Sequence, residues 1–166
     1  MRRRQTLGTA RPILGIIVVA AVGIVAAACA PPAASFEQTF SGVTSVVVMS
    51  AEGDISVTGG TDEAAAVTAD SSLASDDFDI QVEDGVLRVT HTCPGTSCSV
   101  DYTITVPETV SVVVSGGTGN VIVSDVTGAI DVTTTEGDVF VRRVTGDITA
   151  ATETGIITGT QNRSST

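Results

Sequence analysis

Few side chains in this chain are equipped for chemistry. His91 is the single histidine, and no serine stands in the G-x-S-x-G pattern of an exposed nucleophile. One histidine without such a serine does not make a Ser-His-Asp triad. Asp131, Asp138 and Asp147 could be imagined as the carboxylates of a glycan-cleaving site. Calcium is the other chemistry the spacing raises, because glycine nonapeptides of the form GGxGxDxUx bind it. Gly116-Gly117-Thr118-Gly119 opens that pattern, but Val121 occupies the aspartate place, and the later repeats carry one glycine each. Asp138 and Asp147 follow their glycines directly and lie nine apart, on opposite turns. One carboxylate per edge falls short of the about six to eight oxygens that calcium takes. These aspartates read as turn residues, and the sequence implies no metal and no cofactor.

The N-terminus reads as an address. Arg2, Arg3, Arg4 and Arg11 precede an uncharged apolar run, Ile13 to Ala28, that ends in small residues before Cys29. Basic, apolar and small-residue regions in that order describe a secretory signal peptide. Its 16 apolar residues are short for a bilayer span of about 20. Ala26-Ala27-Ala28-Cys29 resembles the lipobox of bacterial lipoproteins, with Ala26 where Leu is more usual. The resemblance implies that the Cys29 thiol is acylated and becomes the mature N-terminus. The expected divisions are a signal peptide at 1–28, a lipidated Pro/Ala-rich tether at 29–39, a body at 40–160 and a tail at 161–166. The expected location is the extracytoplasmic face of the cell membrane.

With Cys29 assigned to lipid, Cys93 and Cys98 are left as partners for each other around Pro94-Gly95-Thr96-Ser97. A disulfide closing so short a loop contributes about 2 kcal/mol in the chain-entropy picture. Redox and metal alternatives fit less well. Four intervening residues are not the two of redox motifs, and two thiols with His91 leave a zinc site one ligand short.

The leader also hides the charge of the body. Four of the eight Lys+Arg residues and none of the 19 acids fall in residues 1–28, so the remainder carries a net of −15. The chain has no lysine. Such a surface excludes nucleic acid, which is bound through basic contacts to phosphate. It attracts cations and cationic peptides, and it also favours solubility.

Positioning falls to strands. Phe78-Asp79-Ile80-Gln81-Val82-Glu83 alternates apolar and polar, Asp84-Gly85 follows, and Val86 to Thr90 resumes the pattern; this is a hairpin signal. Tyr102, Ile104 and Val106 alternate with polar residues up to Pro107. Beyond this point a glycine recurs every nine residues, at Gly119, Gly128, Gly137, Gly146 and Gly155. Two residues after each glycine stand Val121, Ile130, Val139, Ile148 and Ile157, and two further on Val123, Val132, Val141, Ala150 and Gly159. Both columns point inward together; Val112 and Val114 fit them one repeat earlier. Val126, Thr135, Val144 and Glu153 alternate in polarity, which doubles the period to 18. The fold predicted is all-β: a short parallel β-solenoid, or β-helix, of 18-residue coils with two strands each and fewer than three coils. β-Hairpin strands are expected to precede it.

That register stacks Asp125 on Arg143 as an ion pair and Ser124 on Arg142. It also stacks Ile122 on Phe140, facing away from the interior. An outward Ile–Phe pair is either covered by the N-terminal strands or left as a sticky patch, and the scarcity of aromatics favours cover.

Gly53-Asp54-Ile55-Ser56-Val57, Gly119-Asn120-Val121-Ile122-Val123, Gly137-Asp138-Val139-Phe140-Val141 and Gly146-Asp147-Ile148, with Val106-Pro107 before the later runs, resemble the putative-adhesin family of bacterial surface proteins. That family is a β-solenoid domain of unknown function. The resemblance covers about Val43 to Thr160 and implies a non-catalytic, extracytoplasmic module; some relatives are tied to envelope-stress signalling. The expected function is adhesin-like binding or scaffolding, with the membrane engaged through the lipid anchor and an envelope protein or glycan as candidate partner. The alternatives are an envelope-stress sensing component binding a cationic ligand or a partner protein and, behind it, a glycan-active enzyme. Repeats that stop at Gln161 without a visible cap leave the last coil either covered by the tail or open to a partner.

Overall fold

Apolar side chains at every second position suit a strand lying between a core and solvent, and each such run forms one. The computed structural model describes residues 34–71, 78–91 and 98–161; the leader, Cys29 and Cys93 lie outside the described residues. Thirteen strands and no helix occur among them. In chain order they are β1 (Ala34–Ser41), β2 (Ser45–Glu52), β3 (Ile55–Gly60), β4 (Ala64–Ser71), β5 (Phe78–Glu83), β6 (Val86–His91) and β7 (Val100–Pro107). Then follow β8 (Ser111–Thr118), β9 (Val121–Ser124), β10 (Ile130–Glu136), β11 (Val139–Val144), β12 (Ile148–Thr154) and β13 (Ile157–Gln161). The fold is all-β, as the alternation predicts.

Two mixed sheets share one core. The seven-stranded sheet runs β1-β4-β7-β3-β9-β11-β13, and the six-stranded sheet β12-β10-β8-β2-β6-β5. The predicted 18-residue register is present. Val112, Ile130 and Ile148 are parallel partners in one sheet, and Val121, Val139 and Ile157 in the other. Each repeat thus forms a rung, with one strand in each sheet. Both columns point inward: Val112, Val123, Val132 and Val139 are fully buried, and so are Val46, Val57, Leu87 and Ile104. Each such side chain contributes about 1.5–3 kcal/mol through burial.

The N-terminal half departs from the expected plan of leading hairpins and fewer than three coils. β2 and β3 form a rung inside the stack, in register with β8 and β9 across 66 residues, Val46 against Val112 and Ile55 against Val121. β6 and β7 form another, with Leu87 against Val46 and Tyr102 against Ile55. The stack therefore has five rungs, ordered β6/β7, β2/β3, β8/β9, β10/β11, β12/β13. Alternation records which face of a strand is buried, not which strand lies beside it, so this order was not visible in the sequence. The β5–β6 hairpin is present as predicted, with Asp84 (φ 49°) and Gly85 (φ 78°) in the turn. β1 starts inside the segment expected to be a tether and pairs with β4 along its whole length.

The glycine beat marks corners where two rungs touch. Gly53, Gly119, Gly137 and Gly155 are stacked there with φ of 118°, 144°, 135° and 152°, a region open to glycine and strained for other residues. A Cβ on Gly137 would also fall inside the contact radius of the Gly119 carbonyl oxygen. Gly159 differs, with open space where its Cβ would be. Gly137→Ala should therefore destabilise the fold by about 3 kcal/mol or more, whereas Gly159→Ala should stay within about 0.5 kcal/mol of the parent. Paired thermal denaturation curves check both.

Candidate functional site

The residue after a corner glycine explains the G-[DN]-[VI] motif. Asp54 Oδ1 accepts hydrogen bonds from the Asn120 backbone N–H at 2.8 Å and from Asn120 Nδ2 at 3.3 Å. Asn120 Oδ1 accepts from the Asp138 N–H at 3.1 Å, and Asp138 Oδ1 from the Ile156 N–H at 2.9 Å. Asp101, at the matching place on β7, accepts from the Asp54 N–H at 2.8 Å. A ladder of side-chain acceptors thus climbs one edge through all five rungs, each tying down the main chain of the next. Asp147 lies at the opposite corner, where its backbone carbonyl accepts from the Ile130 N–H. Asp131 lies on β10, in the other sheet from β11, which Asp138 precedes, so the three carboxylates of the glycan-active reading do not converge. Among the described residues no group of three or more His, Cys, Asp or Glu is arranged to hold a metal ion.

Asp125 and Arg143 meet as their 18-residue spacing predicts. Arg143 donates from Nε and Nη2 to the two carboxylate oxygens of Asp125, a bidentate pair on an exposed corner. Both residues have left-handed backbones, φ 59° and 52°, beside an irregularity in the β11–β13 register. That turn swings the two side chains outward while Val126 and Val144 return fully buried to the core. The hydrogen bonds from Arg143, with its positive charge, hold the Asp125 carboxyl below its ordinary pKa and raise that of Arg143.

Ile122 and Phe140 are cross-strand partners between β9 and β11. Among the described residues the expected cover does not form: β1 and β4 extend the same sheet beyond β7 and do not lie across it. Ile122 is 36% exposed, Phe140 is half-buried, and the Arg142 guanidinium sits 5.6 Å from the centroid of the Phe140 ring, within cation–π range. Along their row stand Thr103, Ser56 and Thr158, so the pair is an apolar spot on a hydroxyl-lined face. Arg142 pairs with Ser124 across the same strands.

The cysteines are placed only in part. Cys98 is buried, its expected partner Cys93 lies outside the described residues, and so does Cys29. His91 is buried at the end of β6. One surface feature had no place among the expected sites. Met49 and Val113 are exposed on the outer face of the six-stranded sheet, and Val47 is the cross-strand partner of Val113. The signal for them was Val-Val-Val in β2 and β8, which must turn its middle valine outward. On the last rung, which the sequence left either covered by the tail or open to a partner, Ile156 and Ile157 are exposed.

Replacing Asp54 by Ala removes the acceptor of two Asn120 donors and should cost about 1 kcal/mol. Asp54→Asn, which keeps an oxygen there, should cost less, and added calcium should move neither melting curve. The pH dependence of the ion pair has a definite sign. Because the folded pKa of Asp125 is lowered, its contribution is full above the unfolded value and fades as pH falls through the folded one. Asp125→Asn should therefore melt below the parent at pH 7, and the gap should narrow as pH falls through and below the ordinary carboxylate range.

No protein-family model matches the chain, and no curated protein matches it. Two solved structures are similar. One is a putative cell adhesion protein from Clostridium sporogenes ATCC 15579, at a TM-score of 0.53 and 11% identity, covering 78% of this chain and 100% of that one. The other is a putative adhesin from Parabacteroides merdae ATCC 43184, at a TM-score of 0.29 and 11% identity, covering 77% and 94%. The first likeness is one of fold.

Proposed function

We propose that this chain is a non-catalytic, lipid-anchored module of the bacterial cell envelope that binds in adhesin-like fashion through the outer face of its seven-stranded sheet. The observation that carries the reading is the uncovered Ile122–Phe140 pair, braced by Arg142 on an otherwise hydroxyl-rich face. An aromatic and an arginine at the centre of a polar surround make the composition of a binding hot spot. The fold shared with a protein described as a putative cell adhesion protein supports it. So does the leader, whose Cys29 stands five residues before β1 and would tether that end of the stack to a membrane. A Cys93–Cys98 disulfide belongs to the same extracytoplasmic reading, and the burial of Cys98 supports it. The binding partner is an envelope protein or glycan.

A second reading has its own observation. Asp101, Asp54 and Asp138 share one edge, and Asp70 is the cross-strand partner of Asp101. Together with the −15 charge of the body this ridge favours a cationic ligand. The two readings separate in one experiment, in which cells displaying the full chain are allowed to settle on surfaces coated with envelope protein or glycan. In the adhesin-like case, joint Ile122→Asp and Phe140→Ser changes lower retention on the order of tenfold, and salt has little effect. Retention abolished by salt but indifferent to those changes would favour the cationic ligand instead.

A further inference from the structure

The outer face of the six-stranded sheet has an apolar centre between opposite charges. Across its strands, in the order β12-β10-β8-β2-β6-β5, one row of outward neighbours reads Thr149, Asp131, Val113, Val47, Arg88, Gln81. Val113 and Val47 stand at the middle of the sheet, with three strands on either side of the line between them. Asp131 lies one strand further out on one side and Arg88 one strand further out on the other. Arg88 is the one arginine on this sheet. In the next row Met49 on β2 stands beside Ser115 on β8. Met49 and Val113 are 45% and 40% exposed, and Arg88 and Asp131 are exposed too. Among the described residues no strand lies across this face, and neither Arg88 nor Asp131 forms an ion pair.

We propose that two copies of the chain pair through this face, sheet on sheet. The two-fold axis lies between the two sheets and runs along the strands, over the line between β8 and β2. Such an axis keeps each residue's place along its strand and exchanges the two sides of the row. Val47 then faces the second copy's Val113, Arg88 its Asp131, and Asp131 its Arg88. Every contact occurs twice, as a closed two-fold interface requires. Met49 meets the second copy's Ser115, a long side chain over a short one. The charges select this axis. A two-fold in the same plane but across the strands would set Arg88 on Arg88 and Asp131 on Asp131, like against like.

The dimensions suit it. Stacked sheets cross at about 30°, and the Arg88–Asp131 contacts lie about 7 Å from the axis at the usual strand spacing. The crossing shifts each by about 4 Å, within the reach of an arginine side chain. Six strands of about seven residues give a face on the order of 600 Å², near the about 800 Å² per partner of a standard interface. The unfavourable juxtaposition, Asp147 with the second copy's Glu83, falls at the rim, where both are exposed to water. The Ile122–Phe140 spots lie on the other sheet of each copy and stay uncovered, so the pairing does not rest on the adhesin-like reading.

Thr90 on β6 and Thr133 on β10 share the row of Met49 and Ser115, so the axis sets Thr90 over the second copy's Thr133. The full chain is purified in neutral detergent in two forms, one with Thr90→Cys and one with Thr133→Cys. Mixed and treated with a short bis-maleimide, they should give a covalent dimer well above the background of either form alone. Like positions are about 14 Å apart across the axis, too far for that reagent. Arg88→Asp in both forms should lower the yield by about tenfold, and adding Asp131→Arg to both should restore it. Within one copy residues 88 and 131 are three strands apart, about 14 Å, so restoration requires contact between copies. Circular dichroism should match the parent throughout, since both residues are exposed. Ile122→Asp with Phe140→Ser should leave the yield as it is. The pairing is overturned if the mixed forms do not link above background, or if either form links as well to itself. It is equally overturned if Arg88→Asp leaves the yield unchanged, if Asp131→Arg does not restore it, or if the changes at 122 and 140 abolish it.

Discussion

A strand in this molecule has its hydrogen-bonding partners one rung above and one rung below. Across the core it meets only side chains. Buried backbone N–H and C=O groups must be paired, so each rung has to match its neighbour in length and direction all the way round. The 18-residue period is that match expressed along the chain. At the corners the main chains come so close that the carbonyl of Gly119 leaves no room for a Cβ at residue 137. There the N–H groups of Asn120, Asp138 and Ile156 are met by carboxylate or amide oxygens from the rung before. Glycine, then Asp or Asn, then Val or Ile is one solution to one problem: turn, tie, bury.

This explains which parts could be read in advance. Val121, Val139 and Ile157 lie one rung apart in sequence and in space, so period and register were legible together. Asp125 and Arg143 meet for the same reason. The Asp84-Gly85 hairpin was legible because its turn is local. The rung of β2 and β3 was not, because its neighbours come from residues 86–107 and 111–124, and its pattern names no partner. Misplacing those strands also misplaced the cover for Ile122 and Phe140. Strands expected to lie across that face instead lengthen it.

The surface follows from the same architecture. Inward positions are taken by small branched residues, and the corners by glycine and Asp or Asn. What remains free to vary is the outer face of each sheet and the two ends of the stack. Threonine and serine occupy much of the outer face, as suits a pleated surface in water. The departures from that background, Ile122 with Phe140 and Met49 with Val113, are where a functional reading has something to hold.

The place of β2 and β3 also bears on how the molecule is assembled. They come near the start of the described chain, yet sit second in the stack, between a rung that begins 41 residues after them and one that begins 66 residues after them. A rung-by-rung zipper from either end would have to leave a gap for them or wait for them. The 18-residue steps from β8 to β13 close short loops, whereas β2 and β3 complete their pairing only across long ones, which is the slow kind of contact to make. In a chain made from its N-terminus, β2 and β3 are held half-paired until β8 and β9 arrive. The repeats towards the C-terminus are thus the part of the sequence on which the first-made rung depends.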